Sequence, residues 1–415
     1  MAAAQAGVIR VLRKPRFRRL WVGQVVSAIG DYFYMLAVPI LINALTGSTA
    51  AIGLAMILGF ALPQLLFGIP AGVLVDRWER RRVMLVADTL RACLVLGGLL
   101  ARDAQTLWIL YVVGFLVSVA GRFFYPAQSA LIPSLVGEDE LLAANSLSQL
   151  TMTASLLVGP ALAGFAIAWL GPGAAFVVDA ASFIVSALAI WSIGEVAPPP
   201  RVTGSGSLAA SLRRFWSDLS HGLRVMFGNA TLRGILLSLS ILQLGIGAVN
   251  VLWVPLLTRS YGVGPDGLGV VDSMQGVGMA IGAVGVGWLS ARVRKVRIVS
   301  VGLAVLGLML GLTGVAPSFA CIVGFTFVLG VALSPVQAAL ATLAQWTAPG
   351  HLRGRVFGTT GTFGQIAGLV SMGLAAGAAE WVGIPAVYVA CGVLVVLAGV
   401  AFAVLVSEPA ALAVE

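Results

Sequence analysis

The stretch "AGVLVDRWERRR" at 71–82 places six charged residues directly after a long apolar run. The chain as a whole is poor in charge, since only 10% of its 415 residues are charged and 59% are hydrophobic. A soluble protein of this length carries about 25% charged residues. Charges collected between apolar runs are typical of loops that join membrane-spanning segments. The runs are about 20 residues long, which suits a spanning helix and exceeds the length of a barrel strand.

We therefore predict an all-α membrane protein with twelve spanning helices. The predicted spans are 18–45, 50–75, 83–101, 105–132, 140–170, 173–194, 231–258, 266–290, 296–315, 318–346, 352–380 and 383–406. The mean hydropathy of +1.01 agrees with this class of protein. The 51 glycines also agree with it, because small residues let helices pack closely in lipid.

Basic residues predict the orientation of the chain. An even number of spans places both termini on the same side of the membrane. All but three of the 25 Lys and Arg residues then lie on that side, the exceptions being Arg91, Arg102 and Arg259. Because basic loops stay in the cytoplasm, we predict cytoplasmic termini in a bacterial-type plasma membrane. The charge is spread over many short loops, which argues against nucleic-acid binding.

Similarity between the two halves of the chain indicates an internal repeat. The segment "GRFFYPAQSAL" at 121–131 resembles "GVALSPVQAAL" at 330–340. Pro39 in the first span likewise corresponds to Pro255 in the seventh. We predict two pseudo-symmetric six-helix halves, at 1–194 and 231–415. Parallel repeats of this kind are typical of transporters whose central site opens alternately to either side of the membrane.

The linker over 195–230 is the only long loop that the sequence predicts. It opens with Pro198, Pro199 and Pro200. From Leu208 onward, apolar residues recur at helical spacing and charged residues occupy the other faces. Two interpretations remain open, namely an amphipathic helix on the inner membrane surface and a linker helix packed under the bundle.

Carboxylates within the spans are the candidate coupling groups, because charge inside a membrane is costly and usually functional. Asp31, near the middle of span 1, is the leading candidate for proton coupling or substrate binding. The alternative is a structural carboxylate hydrogen-bonded to a neighbouring helix. The polar residues predicted to line a central cavity with Asp31 are Gln24, Ser27 and Tyr34 on span 1 and Gln243 and Asn250 on span 7.

Three further polar residues are candidates for the same cavity. Arg122 in span 4 is able to pair with a carboxylate or an anionic substrate, or to extend its side chain to the membrane surface. Asp272 and Gln275 lie one turn apart near the outer end of span 8. We predict that these two residues line the cavity mouth.

Spans 3 and 6 contain charges for which we predict structural roles. Asp88 and Arg91 are three residues apart in span 3, a spacing that predicts an ion pair on one helix face. Asp179 lies in span 6, which is peripheral if the repeat follows the usual architecture. We therefore predict that Asp179 stabilises the fold.

The charged loop after span 2 resembles the signature of the major facilitator superfamily, G-x-x-x-D-R-x-G-R-R. The matching residues are Gly72, Asp76, Arg77, Arg80 and Arg81, with Glu79 in place of the second Gly. The resemblance covers essentially the whole chain. It implies that this loop latches the two halves together, with Asp76 facing the start of span 11 near Arg353 and Arg355.

A second motif resembles one found in antiporters of the same superfamily. The segment "GPALAG" in span 5 is similar to G-P-x-x-G-G, and the matching residues are Gly159, Pro160 and Gly164. The segments "FRRLWVGQVVSAIGD" and "YPAQSALIPSLV" further resemble the branch that holds siderophore exporters and macrolide-efflux proteins.

These observations predict a proton-coupled exporter of hydrophobic or amphiphilic small molecules, such as drugs, antibiotics or siderophores. The alternatives are an importer of a nutrient or siderophore with the same fold, and a polytopic membrane enzyme or receptor. The sequence contains no P-loop or zinc-protease motif, so we expect no catalytic residues, no metal and no cofactor. The expected partners are a small-molecule substrate, a proton or other ion gradient and the lipid bilayer, and we expect a monomer.

Overall fold

The computed structural model describes residues 2–196 and 208–406, and most of these residues are helical. The predicted linker residues Pro198, Pro199 and Pro200 lie outside the described residues. The helices are α1 (Ala2–Leu12), α2 (Pro15–Thr46), α3 (Thr49–Met56), α4 (Leu62–Val75), α5 (Arg80–Leu96), α6 (Trp108–Leu131), α7 (Leu141–Leu170), α8 (Pro172–Ser192), α9 (Leu208–Gly228), α10 (Ala230–Pro255), α11 (Pro265–Arg292), α12 (Lys295–Gly314), α13 (Phe319–Thr347), α14 (Arg353–Val382) and α15 (Ile384–Leu405).

Twelve helical segments of the described chain are long and apolar enough to cross a membrane. This number confirms the predicted all-α membrane fold. The second span combines α3, a π-helical turn at Ile57–Ala61 and the start of α4. A second π-helical turn, Leu256–Ser260, follows α10. Such turns leave the regular hydrogen-bond ladder and occur frequently at functional sites.

Glycine and proline set the ends of corresponding helices in the two halves. Gly171 (φ +80°) separates α7 from α8, and Gly383 (φ +84°) separates α14 from α15. A side chain is disfavoured at these dihedral angles, so glycine fits both turns. Pro172 and Pro385 then occupy the first turn of the following helix, where a missing N–H costs nothing. The paired turns agree with the internal repeat.

The charged loop forms without the glycine that the superfamily signature has at its second Gly position. Glu79, which stands there, adopts φ −66° and ψ 109°, an extended conformation that any residue accepts. Among the described residues, only glycines have positive φ. Glu79 directly precedes α5 and forms an ion pair with Arg82. The substitution therefore leaves the turn unstrained.

The packing of the helices divides the chain into two compact units. The first unit comprises Met1–Gly47, Ile57–Ser211 and Pro265–Gly269, and the second comprises Ser48–Met56, Leu212–Gly264 and Val270–Glu415. In the first unit, α2 packs on α7 and α8, and α5 packs on α6 and α8. In the second unit, α10 packs on α14 and α15, and α12 packs on α13 and α15. Each unit thus positions its own polar residues.

Helix α9 confirms the helix that we predicted within the linker. Its Asp218 accepts a hydrogen bond from Arg355 of α14 at 2.7 Å. One turn further, Gly222 lies against the Thr359 side chain of the same helix. On the opposite side Trp216 is exposed. The face of α9 that carries Asp218 and Gly222 therefore packs against α14, and both interpretations of the linker stay predictions.

Candidate functional site

The polar stripe of span 1 packs largely against α8. The Gln24 amide donates a hydrogen bond to the Ser186 hydroxyl at 3.1 Å. Ser27 is buried, and so is Tyr34, whose ring meets the edge of Phe176. The structure therefore gives Gln24, Ser27 and Tyr34 packing contacts between helices. Their role in coupling or substrate binding stays a prediction.

Asp31 belongs to a group of four charged residues in the first unit, the others being Asp88, Arg91 and Asp179. We call this group the charge cluster. Asp88 and Arg91 are 0% and 4% exposed and form the predicted ion pair, which is confirmed. Asp31 is half-buried and lies within electrostatic range of the other three residues. Three carboxylates thus share one guanidinium.

Arg91 is held from both sides by aromatic rings. Its guanidinium carbon lies 4.5 Å from the centre of the Phe124 ring and 4.3 Å from that of Phe183. These rings belong to α6 and α8, while Arg91 itself lies on α5. Cation–π attraction and the ion pair together fix the guanidinium among the three helices.

Asp179, on α8, is buried against α2. The residue is 1% exposed, and its Oδ2 atom has no hydrogen-bond partner among the described residues. Helix α2 approaches it so closely that a Cβ atom built on Gly30 would lie 3.1 Å from Asp179 Oδ1. The Asp179 carboxylate lies within electrostatic range of Asp31. The predicted structural role of Asp179 stays a prediction.

The charge cluster is chemically suited to proton binding. With every group ionised, three carboxylates and one guanidinium leave an excess of negative charge away from water. Such an excess is costly in a low-dielectric environment unless protons or cations neutralise it. A proton bound between carboxylates removes part of this cost.

In the second unit, the predicted polar residues of span 7 lie in two places. Gln243 lines a cavity of about 310 Å³ between α10, α13 and α14. Gln337 and Thr360 supply further polar groups, and most of the remaining lining is apolar. Asn250, two turns along α10, is exposed. We did not predict Gln337, although the repeat segment "GVALSPVQAAL" contains it.

Span 8 places Asp272 beside aromatic residues of the second unit. Asp272 is half-buried, and the indole of Trp253 and the ring of Tyr388 lie near its carboxylate. Gln275, one turn along α11, is also half-buried. The partners Trp253 and Tyr388 were not predicted, because they come from α10 and α15.

Arg122, predicted to pair with a carboxylate or an anionic substrate or to extend to the membrane surface, has a neutral partner in the structure. Its guanidinium donates a hydrogen bond to the side-chain oxygen of Gln64, on the second span. The rings of Phe67 and Phe115 meet edge to face between the same two helices. Within the described residues, Arg122 forms no ion pair. The hydrogen bond between Arg122 and Gln64 therefore joins spans 2 and 4.

The arginines of the charged loop bind carbonyl groups near helix ends of the first unit. Arg80 donates to the Ala130 carbonyl at 2.8 Å, next to the end of α6. Arg81 donates to the carbonyls of Ile190 and Trp191, at 3.2 and 2.7 Å, near the end of α8. Cations are favourable at these ends because carbonyl groups there lack helical partners. These contacts fix the loop to α6 and α8.

The residues of the predicted gating contact between the charged loop and span 11 are largely exposed. Asp76 and Arg77 are exposed, and a Cβ atom on Gly72 would meet no described atom within 4 Å. Arg355, a predicted partner of Asp76, instead pairs with Asp218, and Arg353 is exposed. The gating role of these residues stays a prediction.

The antiporter-like motif of α7 lies at two close contacts of the first unit. A Cβ atom on Gly159 would lie 2.5 to 3.1 Å from atoms of the Tyr32 side chain. A Cβ atom on Gly164 would lie 3.1 Å from the Cα atom of Gly269. Pro160 is buried in the same helix. A larger side chain at Gly164 would push two backbones apart, and one at Gly159 would displace the Tyr32 ring.

Twelve spanning helices with polar and charged groups at membrane depth define a polytopic membrane protein of the transporter class. Residues 6–414 match the family described as transmembrane secretion effector, and the chain belongs to this family of major facilitator transporters.

Relatives and solved structures agree with this assignment. Macrolide efflux protein A of Streptococcus pyogenes is 26% identical, over 92% of this chain and 94% of the relative. The multidrug efflux pump Tap of Mycolicibacterium fortuitum is 28% identical, over 90% of this chain and 91% of the relative. A crystal structure of a bacterial homologue of the iron transporter ferroportin has a TM-score of 0.75 at 16% identity, and the match covers 94% of this chain and 98% of that one. The structural match shows the shared fold.

Proposed function

We propose that this transporter is a proton-coupled exporter of hydrophobic or amphiphilic small molecules in the bacterial cytoplasmic membrane. The observation that carries the proposal is the charge cluster, in which three carboxylates share one arginine within the spans of the first unit. Asp31 is its only member that is not fully buried. It is therefore the group through which protons enter and leave the cluster.

Two further observations support the substrate class and the direction of transport. The cavity of the second unit combines apolar side chains with the polar groups of Gln243, Gln337 and Thr360, which suits an amphiphilic molecule. A sugar would need many more hydrogen-bond partners. The relatives named macrolide efflux protein and multidrug efflux pump support export.

Transport by the purified monomer in liposomes tests the proposal. We expect a pH gradient, acidic on the side of the predicted outer loops, to drive export of an amphiphilic antibiotic such as erythromycin. Dissipating the gradient with a protonophore should stop net transport, because antiport requires inward proton flow. Net transport that is insensitive to the protonophore would contradict proton coupling. Movement of the antibiotic in the same direction as protons would contradict export.

The proposed orientation, with both termini in the cytoplasm, is tested by labelling single cysteines. The background protein carries replacements of the native cysteines Cys93, Cys321 and Cys391. In intact cells, an impermeant maleimide should label exposed loop positions Ala104→Cys and Pro317→Cys, and should leave Ser217→Cys on α9 unlabelled. All three cysteines should react after the membrane is permeabilised. The opposite pattern in intact cells would reverse the orientation.

A further inference from the structure

The junction between α11 and α12 concentrates positive charge that the proposed function does not use. Four basic residues, Arg292, Arg294, Lys295 and Arg297, lie within six positions of the chain, and we call them the basic loop. The three arginines are exposed. Within the described chain, none of these three arginines forms an ion pair. Their charge is therefore offered to a partner outside the protein.

The neighbouring helices supply no acidic counterpart. From residue 273 to residue 379 the sequence contains no Asp or Glu, and this range includes all of α12 and α13. The acidic residues of α11, Asp266 and Asp272, lie near its other end. At the rise of an α-helix, Asp272 is about 30 Å from Arg292 along the axis. An anion that binds here thus meets no carboxylate from these three helices.

Two tryptophans hold cations of the basic loop. The guanidinium carbon of Arg292 lies 4.4 Å from the centre of the Trp288 ring. The Lys295 Nζ atom lies 4.9 Å from the centre of the Trp346 ring, which belongs to α13. Cation–π attraction at these distances favours one place for each charge. Tryptophan is enriched where a spanning helix meets the headgroups, so both charges lie at a depth that suits a lipid phosphate.

An exposed apolar stripe on α11 leads to the basic loop. Ile281, Val284 and Trp288 are each more than half exposed. Arg292 continues the stripe, because successive spacings of three, four and four residues keep all four side chains on one helix face. From Ile281 to Arg292 the helix rises about 16 Å, about half the thickness of the hydrocarbon core. A phospholipid whose acyl chain lies on the stripe therefore has its headgroup beside Arg292.

We propose that the basic loop binds the headgroup phosphate of anionic phospholipids, with an acyl chain along the stripe of Ile281, Val284 and Trp288. The arginine guanidinium groups donate hydrogen bonds to the phosphate oxygens, which a planar guanidinium fits well. A zwitterionic lipid brings its own cation and leaves the charge of the loop uncompensated. In the predicted orientation the bound lipid belongs to the cytoplasmic leaflet. The inference does not depend on the proposed export function.

Quenching by nitroxide-labelled lipids tests the basic loop at one position of the chain. The purified full-length protein, without its native cysteines, carries an NBD fluorophore on the exposed position Ala291→Cys in phosphatidylcholine nanodiscs. Traces of phosphatidylglycerol or phosphatidylcholine with the same nitroxide-bearing acyl chain are the matched quenchers. We expect phosphatidylglycerol to associate about tenfold or more tightly, because each basic residue near an anionic headgroup contributes about a fivefold gain.

Variants separate this site from general attraction of anionic lipids. Arg292→Gln combined with Arg297→Gln should lower the preference for phosphatidylglycerol about fivefold or more. The matched control, Arg213→Gln with Arg214→Gln, removes two exposed charges from α9 and should change the preference less than about twofold. Trp288→Leu stays apolar but removes the ring that holds Arg292, and should lower the preference about twofold or more. Size-exclusion profiles check that each variant is folded.

Three outcomes would overturn the inference. They are equal association of the two lipids with the wild type, a folded Arg292→Gln and Arg297→Gln variant that keeps the wild-type preference, and an equal loss in the α9 control. If the double variant does not fold, Arg292→Gln alone replaces it, with an expected loss of about threefold or more. Inorganic phosphate at millimolar concentration should not displace the labelled phosphatidylglycerol, since it lacks an acyl chain. Displacement by phosphate would make the loop a phosphate site and would overturn the assignment to lipid.

Discussion

Replacing Asp31 with asparagine is expected to reduce proton-driven transport to the level of protein-free liposomes, a loss of about tenfold or more. Asparagine has nearly the same size as aspartate and keeps a hydrogen-bonding side chain, so the helix contacts of α2 should survive. What disappears is the one partly exposed carboxylate of the charge cluster, through which we propose that protons enter and leave. The measurement is uptake of labelled substrate driven by a pH gradient.

Exchange of substrate without a gradient provides the internal control for Asp31→Asn. Equilibrium exchange needs substrate binding and alternating access but no net proton movement, so the variant should retain it. Asp266→Asn, which removes an exposed carboxylate on α11, should retain both equilibrium exchange and gradient-driven transport. If Asp31→Asn showed full gradient-driven transport, the Asp31 carboxylate would be structural. Loss of exchange together with driven transport would indicate a folding or access defect.

Replacing Arg91 with methionine is expected to be the most destabilising single change in the first unit. Arg91 is the only cation among three carboxylates, and it is 4% exposed. Removing one partner of a buried ion pair typically costs about 3–5 kcal/mol, because the other charge stays buried without compensation. The melting temperature of the detergent-purified protein measures the loss. Methionine fills much of the space between Phe124 and Phe183, so the loss of stability reflects the missing positive charge more than missing side-chain volume.

A double variant separates the charge effect from damage to packing. Asp88→Asn combined with Arg91→Met removes both partners of the ion pair and should recover part of the stability that Arg91→Met loses. Arg91→Lys keeps the charge but lacks the flat guanidinium that fits between two rings, so its melting temperature should be intermediate. If the double variant were as unstable as the sum of the single variants, the ion pair would contribute nothing to the fold.

The charged loop shows how far a motif predicts structure. The pattern from Gly72 to Arg81 correctly marked the turn between two spans. It did not reveal that Arg80 and Arg81 bind carbonyl groups of α6 and α8. Those carbonyls belong to the backbone, which every residue has, so no side-chain pattern in the sequence predicts these contacts. The same limit applies to the pairing of Arg355 with Asp218.

The sequence by itself determined the membrane class, the twelve spans and the Asp88–Arg91 pair. These features depend on local properties, namely the length of apolar runs, the places where charge interrupts them and the spacing of residues on one helix. Only the tertiary structure decided that Asp179 comes within electrostatic range of Asp31 and that the Trp253 indole lies near Asp272. These groups lie far apart in the chain. Whether these groups meet depends on the rotation of each helix about its own axis, and packing against neighbouring helices sets that rotation. Hydrophobic periodicity does not reveal the rotation, because a spanning helix is apolar on most of its faces.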